Sequence, residues 1–306
     1  MKNYFFCLDV GGTDIKGGII DEAYNIMFTE KISSKTINSS ESLKSSILNI
    51  IDLLEKKSKL KISKSLGLGI AFPGLVDCNT GNVEYLPNLG IKQYNIIEAL
   101  KQDIAVPIKI ANDAELALLA EHKIGSGKGF DNIAMLTLGT GVGLGLMING
   151  KNLRSSLPYS SEYGHNLFND KGDSLEHVIS TKALIQNIKS AMQNNPKSKM
   201  WTKYNLDTVT GKTLFDFKDK DITAKAIFND YISNLGKAIV NIYNVFTPDV
   251  TIIGGGISQQ GLNLITPLED YVNTHTFLSH IGKRTKIVTA KFLNDAGILG
   301  ARCLFD

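Results

Sequence analysis

Tyr4-Phe5-Phe6-Cys7-Leu8-Asp9-Val10-Gly11-Gly12-Thr13-Asp14-Ile15-Lys16-Gly17-Gly18-Ile19-Ile20 reads as a buried strand, a tight turn and a second apolar strand. The pattern returns at Ile133-Ala134-Met135-Leu136-Thr137-Leu138-Gly139-Thr140-Gly141-Val142-Gly143-Leu144-Gly145-Leu146-Met147-Ile148. Glycine reaches backbone angles closed to other residues and lets the main chain approach a ligand. The bare N–H groups of such turns form cradles for phosphate oxygens. Two such hairpins in one chain predict two half-domains that grip one nucleotide between them.

Working outward from the first hairpin, residues 24–34 supply a third antiparallel strand. Leu43, Ile47, Ile50, Ile51, Leu53 and Leu54 then recur at helical spacing over residues 42–57. Residues 65–71 read as a strand ending at Phe72-Pro73-Gly74, 95–101 as a short helix, and 107–111 as a strand stopping at Asn112-Asp113. Residues 114–122, rich in Ala, Leu and Glu, suit a helix. After the second hairpin, 175–194 reads as one helix, 195–203 as a loop and 223–246 as a long amphipathic helix ended by Thr247-Pro248. A buried strand at 250–253 runs into Gly254-Gly255-Gly256, and a last strand (286–290) and helix (296–304) follow. Strands alternating with helices define an α/β class. We expect a small N-terminal lobe over 1–115, a larger lobe over 116–290, and a terminal helix in 291–306 that packs back on the first lobe.

A chain of 306 residues is long enough for two domains. Its net charge of +3 is small and its signs are mixed, which argues against nucleic acid or membrane as partners. Three scattered cysteines, Cys7, Cys78 and Cys303, fit a reducing compartment. The apolar run at 4–8 is too short for a signal peptide. The stretch 133–148 falls short of the roughly 20 residues a membrane helix needs. These features predict a cytoplasmic protein.

Asp9 at its strand end is the capping residue of an ordinary hairpin in one reading; in the other, which the second glycine turn favours, it holds Mg²⁺ through water and Thr13 donates to a phosphate. Asn112-Asp113 marks a helix N-cap in one reading. In the other, Asp113 is a carboxylate beyond a strand's carboxyl end, where α/β folds bind ligands, positioned to take a proton from a substrate hydroxyl. Glu162 and His165 flank Gly164 in a loop, either as ordinary surface residues or as a pair placed to hold two adjacent sugar hydroxyls. Gly254-Gly255-Gly256 permits flat packing against a base or ribose. Gly211-Lys212-Thr213 is not a P-loop, because residue 206 is Leu.

Taken together, the chain resembles the ROK family of sugar kinases and repressors. The motifs that carry the resemblance run from end to end. They are Asp9-Val10-Gly11-Gly12-Thr13-Asp14-Ile15-Lys16, Gly69-Ile70-Ala71-Phe72-Pro73-Gly74-Leu75-Val76-Asp77, Pro87-Asn88-Leu89, Asn112-Asp113-Ala114, Leu138-Gly139-Thr140-Gly141-Val142-Gly143, Glu162-Tyr163-Gly164-His165 and Ile253-Gly254-Gly255-Gly256-Ile257. The resemblance implies a two-lobed actin-like, ribonuclease-H-like ATPase fold with a central cleft. It implies ATP-dependent phosphorylation of a hexose hydroxyl, usually on C6. Asp113 then matches the general base, and Gly74, Asn88, Asn112, Glu162, His165 and Glu176 match sugar-binding positions. Asp9, Gly11, Gly12, Thr13, Lys16, Thr140 and Gly141 match the phosphate and Mg²⁺ side; Gly255 and Gly256 match the adenosine side.

One segment departs from the family. Most members follow the Glu-x-Gly-His motif with a cysteine-rich stretch that binds structural zinc. This chain has Asn166-Leu167-Phe168-Asn169-Asp170-Lys171-Gly172-Asp173-Ser174-Leu175-Glu176, shorter and without cysteine. No zinc is therefore expected. Some family members acting on N-acetylmannosamine also lack the cysteines and have a similarly short loop, but carry an aromatic residue at the position of His165. N-acetylmannosamine is the leading substrate expected and glucose the alternative; the family's habit of dimerising implies a homodimer. A repressor would need a helix-turn-helix domain before the first turn, where eight residues precede Asp9, and a catalytically silent sugar sensor would not need Asp113.

Overall fold

The computed structural model describes residues 3–154 and 161–306. Its contacts divide the chain into two compact units. One comprises Met1–Ile124, Asn152–Ser161 and Asn294–Asp306; the other comprises Gly125–Lys151 and Glu162–Leu293.

In the first unit, β1 (Tyr4–Val10), β2 (Asp14–Asp21) and β3 (Ile26–Ser33) form an antiparallel meander. The first turn is closed by the Gly11 N–H donating to the Asp14 carbonyl at 2.9 Å. Ser39 and Ser42 open α1 (Ser40–Ser58) with a reciprocal capping box, and α1 buries Leu43, Ile47, Ile50 and Leu54. β4 (Leu68–Phe72) then pairs parallel to β1. β5 (Leu75–Asp77), β6 (Asn82–Leu86) and β7 (Ile91–Asn95) make a separate antiparallel sheet. α2 (Ile96–Lys101) leads to β8 (Ile108–Asn112), parallel to β4, and to α3 (Asp113–Ile124). The main sheet has the order β3-β2-β1-β4-β8. β1 and β4 are apolar and buried along almost their whole length, as central strands covered on both faces must be.

The second unit repeats this arrangement. β9 (Ile133–Leu138) and β10 (Val142–Ile148) form the second glycine hairpin, and β11 (Lys151–Asn152) edges it. α4 (Glu176–Ile179), α5 (Thr181–Asn194), α6 (Gly211–Phe217) and α7 (Ile222–Phe246) follow. β12 (Val250–Gly254) pairs parallel to β9; after α8 (Leu262–His275), β13 (Ile287–Thr289) pairs parallel to β12. The order β11-β10-β9-β12-β13 matches that of the first sheet, so the sequence repeat at the hairpins extends to the parallel strands beside them. α7 buries Phe228, Leu235, Ile239 and Ile242 against this sheet. Each such side chain contributes about 1.5–3 kcal/mol by leaving water.

α9 (Ala296–Cys303) belongs to the first unit, where it packs on α3, β1 and β4. Alanine and glycine let it lie close. A Cβ on Gly300 would meet the Leu116 backbone, and one on Gly69 would lie 3.1 Å from the Ala301 Cβ.

Two local expectations change. Residues 175–194 are two helices, because Ser180 leaves helical geometry (ψ 155) and its hydroxyl caps α5 by accepting from the Ala183 N–H at 3.1 Å. The small β5–β7 sheet was not expected. Gly211-Lys212-Thr213 opens a helix whose start is closed by Thr210 and Thr213.

Candidate functional site

In the first unit the carboxyl ends of β1, β4 and β8 bring together most of the residues singled out in the N-terminal third. Gly12 and Thr13 are exposed at the first turn. A Cβ on Gly12 would stand 2.8 Å from the Asn88 Cβ, so this turn and Asn88 adjoin. Asn112 ends β8, where its side chain works in two directions. Its amide donates to the Gly74 carbonyl at 3.0 Å. Its Oδ1 accepts from the Ala114 and Glu115 N–H groups at 2.9 and 3.2 Å, capping α3. Both the capping and the loop-holding uses of Asn112 are thus realised by one side chain. Asp113 follows, half-buried, with its Oδ1 accepting from the Ala114 N–H at 2.8 Å.

Asp9 lies at the end of β1, opposite Lys16 of β2 in the strand register. Burial pushes its carboxyl up to about 6, against the opposing pull of the Lys16 charge. A raised carboxyl contributes stability that is present below pH 3.8 and lost as pH rises through about 6. Asp9→Asn removes that loss. In metal-free buffer the variant is expected to melt several degrees above the wild type at pH 8 and level with it at pH 4; equal midpoints at pH 8 would contradict the assignment. The Lys16 ammonium is engaged by the Asn294 carbonyl at 3.1 Å and by the Asp295 carboxylate.

The second unit assembles the remaining residues. A Cβ on Gly141 would stand 2.8 Å from Glu176 Oε2, so Glu176 abuts the second turn. Glu162 carries a carboxyl raised by burial, lowered in part by His165 and raised further by Glu176, which places the three within electrostatic reach. Glu162 Oε2 and His165 Nε2 are 3.8 Å apart; the His165 side chain is exposed, whereas that of Glu162 is 38% exposed and so partly desolvated by its surroundings. Gly164 between them leaves space for the Val142 backbone at the start of β10. Gly255 lies against Leu138, the residue before the turn.

A pocket of about 330 Å³ opens beside the second turn, lined by Leu138, Thr140, Thr181, Ile185, Gln186 and Gly256 among others. Sequence reading named Thr140 and Gly256 but not the α5 side chains. Their signal was present in the i, i+4 spacing of Thr181 with Ile185 and of Lys182 with Gln186, which puts each pair on one helix face.

The short loop after His165 is closed by its own hydrogen bonds. Leu167 bridges to Ser174, the Phe168 N–H donates to the Asp173 carbonyl at 2.8 Å, and Asn169 Nδ2 donates to Asp173 Oδ2 at 2.8 Å. Among the described residues no three His, Cys, Asp or Glu side chains converge as a metal site. Nor is any helix among them long and apolar enough to cross a membrane.

Paired sheets of this topology, each with a glycine hairpin leading into parallel strands, define a protein of the actin-like ATPase fold. The sequence profile of the ROK family matches residues 5–306, and the chain belongs to that family. Among its relatives, the glucokinase of Halalkalibacterium halodurans is 29% identical over 311 residues, covering 97% of this chain and 93% of that protein. A ROK family glucokinase from Streptomyces griseus, solved with glucose and AMPPNP, superimposes with a TM-score of 0.86 at 23% identity, covering 99% of each chain. A candidate N-acetylmannosamine kinase from Listeria monocytogenes gives 0.79 at 24% identity, covering 98% of this chain and 97% of that one.

Proposed function

We propose that this chain transfers the terminal phosphoryl group of ATP to a hexose hydroxyl, the one on C6. N-acetylmannosamine is the leading acceptor. The observation that carries the reading is the place of Asp113: a carboxylate just past the end of β8, fixed at the start of α3, in the unit that also holds a phosphate turn and Asp9. Asp113 accepts the hydroxyl proton as the sugar oxygen bonds to phosphorus and the bond to the ADP oxygen breaks. The sugar-binding candidates are Gly74, Asn88 and Asn112 in the first unit, and Glu162, His165 and Glu176 in the second.

The glycine turn of each unit offers backbone N–H groups to phosphate, and the pocket beside the second turn is the candidate place for the rest of the nucleotide. A single carboxylate beside a phosphate turn fits Mg²⁺, which keeps several waters and takes its other ligands from substrate phosphates, so Asp9 would hold it through water. Bound there, the cation neutralises phosphate charge. Zinc does not fit, since the loop that would carry its ligands has no cysteine and closes by hydrogen bonding instead.

Glucose is the second reading, favoured by His165 and by the curated glucokinase relative. A coupled ADP-release assay across glucose, mannose, N-acetylglucosamine and N-acetylmannosamine tests both. Turnover is expected with one of these and strongest with N-acetylmannosamine; no sugar-stimulated ADP release would refute the kinase reading. Metal analysis of the purified chain is expected to find zinc well below one per chain, and one tightly held zinc would overturn the zinc-free loop.

A further inference from the structure

Residues 294–297 approach two charged side chains of the first glycine hairpin, Asp9 and Lys16, from a part of the chain far away in sequence. Lys16 Nζ donates to the Asn294 carbonyl at 3.1 Å and pairs with the Asp295 carboxylate. Gly297, in the first turn of α9, faces Asp9: a Cβ built there would overlap the Asp9 carboxylate and stand 2.9 Å from its Cβ. Asp9 and Lys16 are also register partners across β1 and β2. One short segment thus touches both members of a facing acid–base pair.

We infer that Gly297 and Asp295 are positioning residues for nucleotide binding: Gly297 leaves the space the Asp9 carboxylate needs, and Asp295 keeps Lys16 from closing onto it. The inference rests on the proposed kinase reading. Close packing of α9 alone would also require glycine, and it does so at Gly300, whose neighbour is the Leu116 main chain. Backbone cannot give way without moving α3. Gly297 differs, because its nearest neighbours are the Asp9 carboxylate atoms, which can turn, with the Asp9 Cβ behind them at 2.9 Å. Alanine at 297 is accommodated by turning the Asp9 carboxylate aside, with a small shift of α9 to relieve the Asp9 Cβ, and this misplaces the group that would face the metal. Freeing Lys16 by Asp295→Asn acts in the same direction, since an ammonium no longer held by Asp295 can pair with Asp9 and compete with the cation.

Calorimetric titration with ATP, in excess Mg²⁺ and in EDTA, separates these effects in wild type, Gly297→Ala, Asp295→Asn, Asp9→Asn and the Asp9→Asn/Gly297→Ala pair. Gly297→Ala is expected to reduce the Mg²⁺-dependent gain in ATP affinity about tenfold, and Asp295→Asn severalfold. Binding in EDTA and the KM for sugar should stay near wild type. In the Asp9→Asn background, Gly297→Ala should add no further loss. Equal weakening with and without metal, an additive loss in the double variant, or no change in either single variant overturns the inference. A wild type that binds no ATP overturns the kinase reading first, and this role with it.

Discussion

Asp113→Asn is expected to lower kcat by at least about 10³-fold while leaving the sugar KM within a fewfold and the thermal midpoint within about 2 °C. General bases contribute about 10²–10⁴ to such reactions, and amide nitrogen cannot replace carboxylate oxygen as a proton acceptor. The local structure survives the change. The Ala114 N–H that donates to Asp113 Oδ1 at 2.8 Å can donate to an asparagine oxygen equally well. α3 keeps its cap on Asn112 Oδ1. Steady-state ADP release and a melting curve on one preparation decide it. Turnover within tenfold of wild type would remove Asp113 from the role of base. A collapse in thermal midpoint would mean that the carboxylate is chiefly structural.

Gly255→Ala is expected to cost about 3 kcal/mol of stability and lower the thermal midpoint by roughly 10 °C. Gly255 has φ 86 and ψ 176, a conformation essentially restricted to glycine. A Cβ there would also run into the Leu138 main chain, including its amide nitrogen at 3.0 Å. Because Leu138 leads into Gly139 and Thr140, relief of the clash must shift the second phosphate turn, so the KM for ATP should rise with the loss of stability. Gly256→Ala is the control: a Cβ there meets nothing within 4 Å, and its midpoint should stay within about 2 °C of wild type. Similar losses at both positions, measured by differential scanning calorimetry, would sink the argument.

Both glycine turns could be read in the sequence because each requires glycine between two runs of apolar residues, a pattern that local sterics impose. The parallel strands β4, β8 and β12 were visible for the same reason, as short apolar runs ending at loops. The β5–β7 sheet was not, since its strands are short and carry Asn82, Glu84, Lys92 and Gln93 among their apolar residues. α8 was hidden by Pro267, which reads as a helix breaker yet sits inside the helix. The break at Ser180 falls within an unbroken helical period and depends on a hydroxyl cap. Among the candidate residues, Asp113 and Glu162 could be singled out by position and motif. The approach of Gly297 to Asp9 and of Asp295 to Lys16 spans nearly the whole chain, and no local pattern encodes it.

The discontinuity of the first unit bears on how the chain is made. Ribosomes deliver residues in order, at about 5–20 per second. The strands β1 and β4 emerge early, but α9, which covers them, belongs to the last stretch, 294–306. On the order of ten seconds therefore passes with that face of the sheet bare, while every segment of the second unit has already left the exit tunnel or is passing through it. The unit whose sequence comes first is the one whose folding finishes last, and nascent chains halted before residue 294 should be the species that chaperones hold longest.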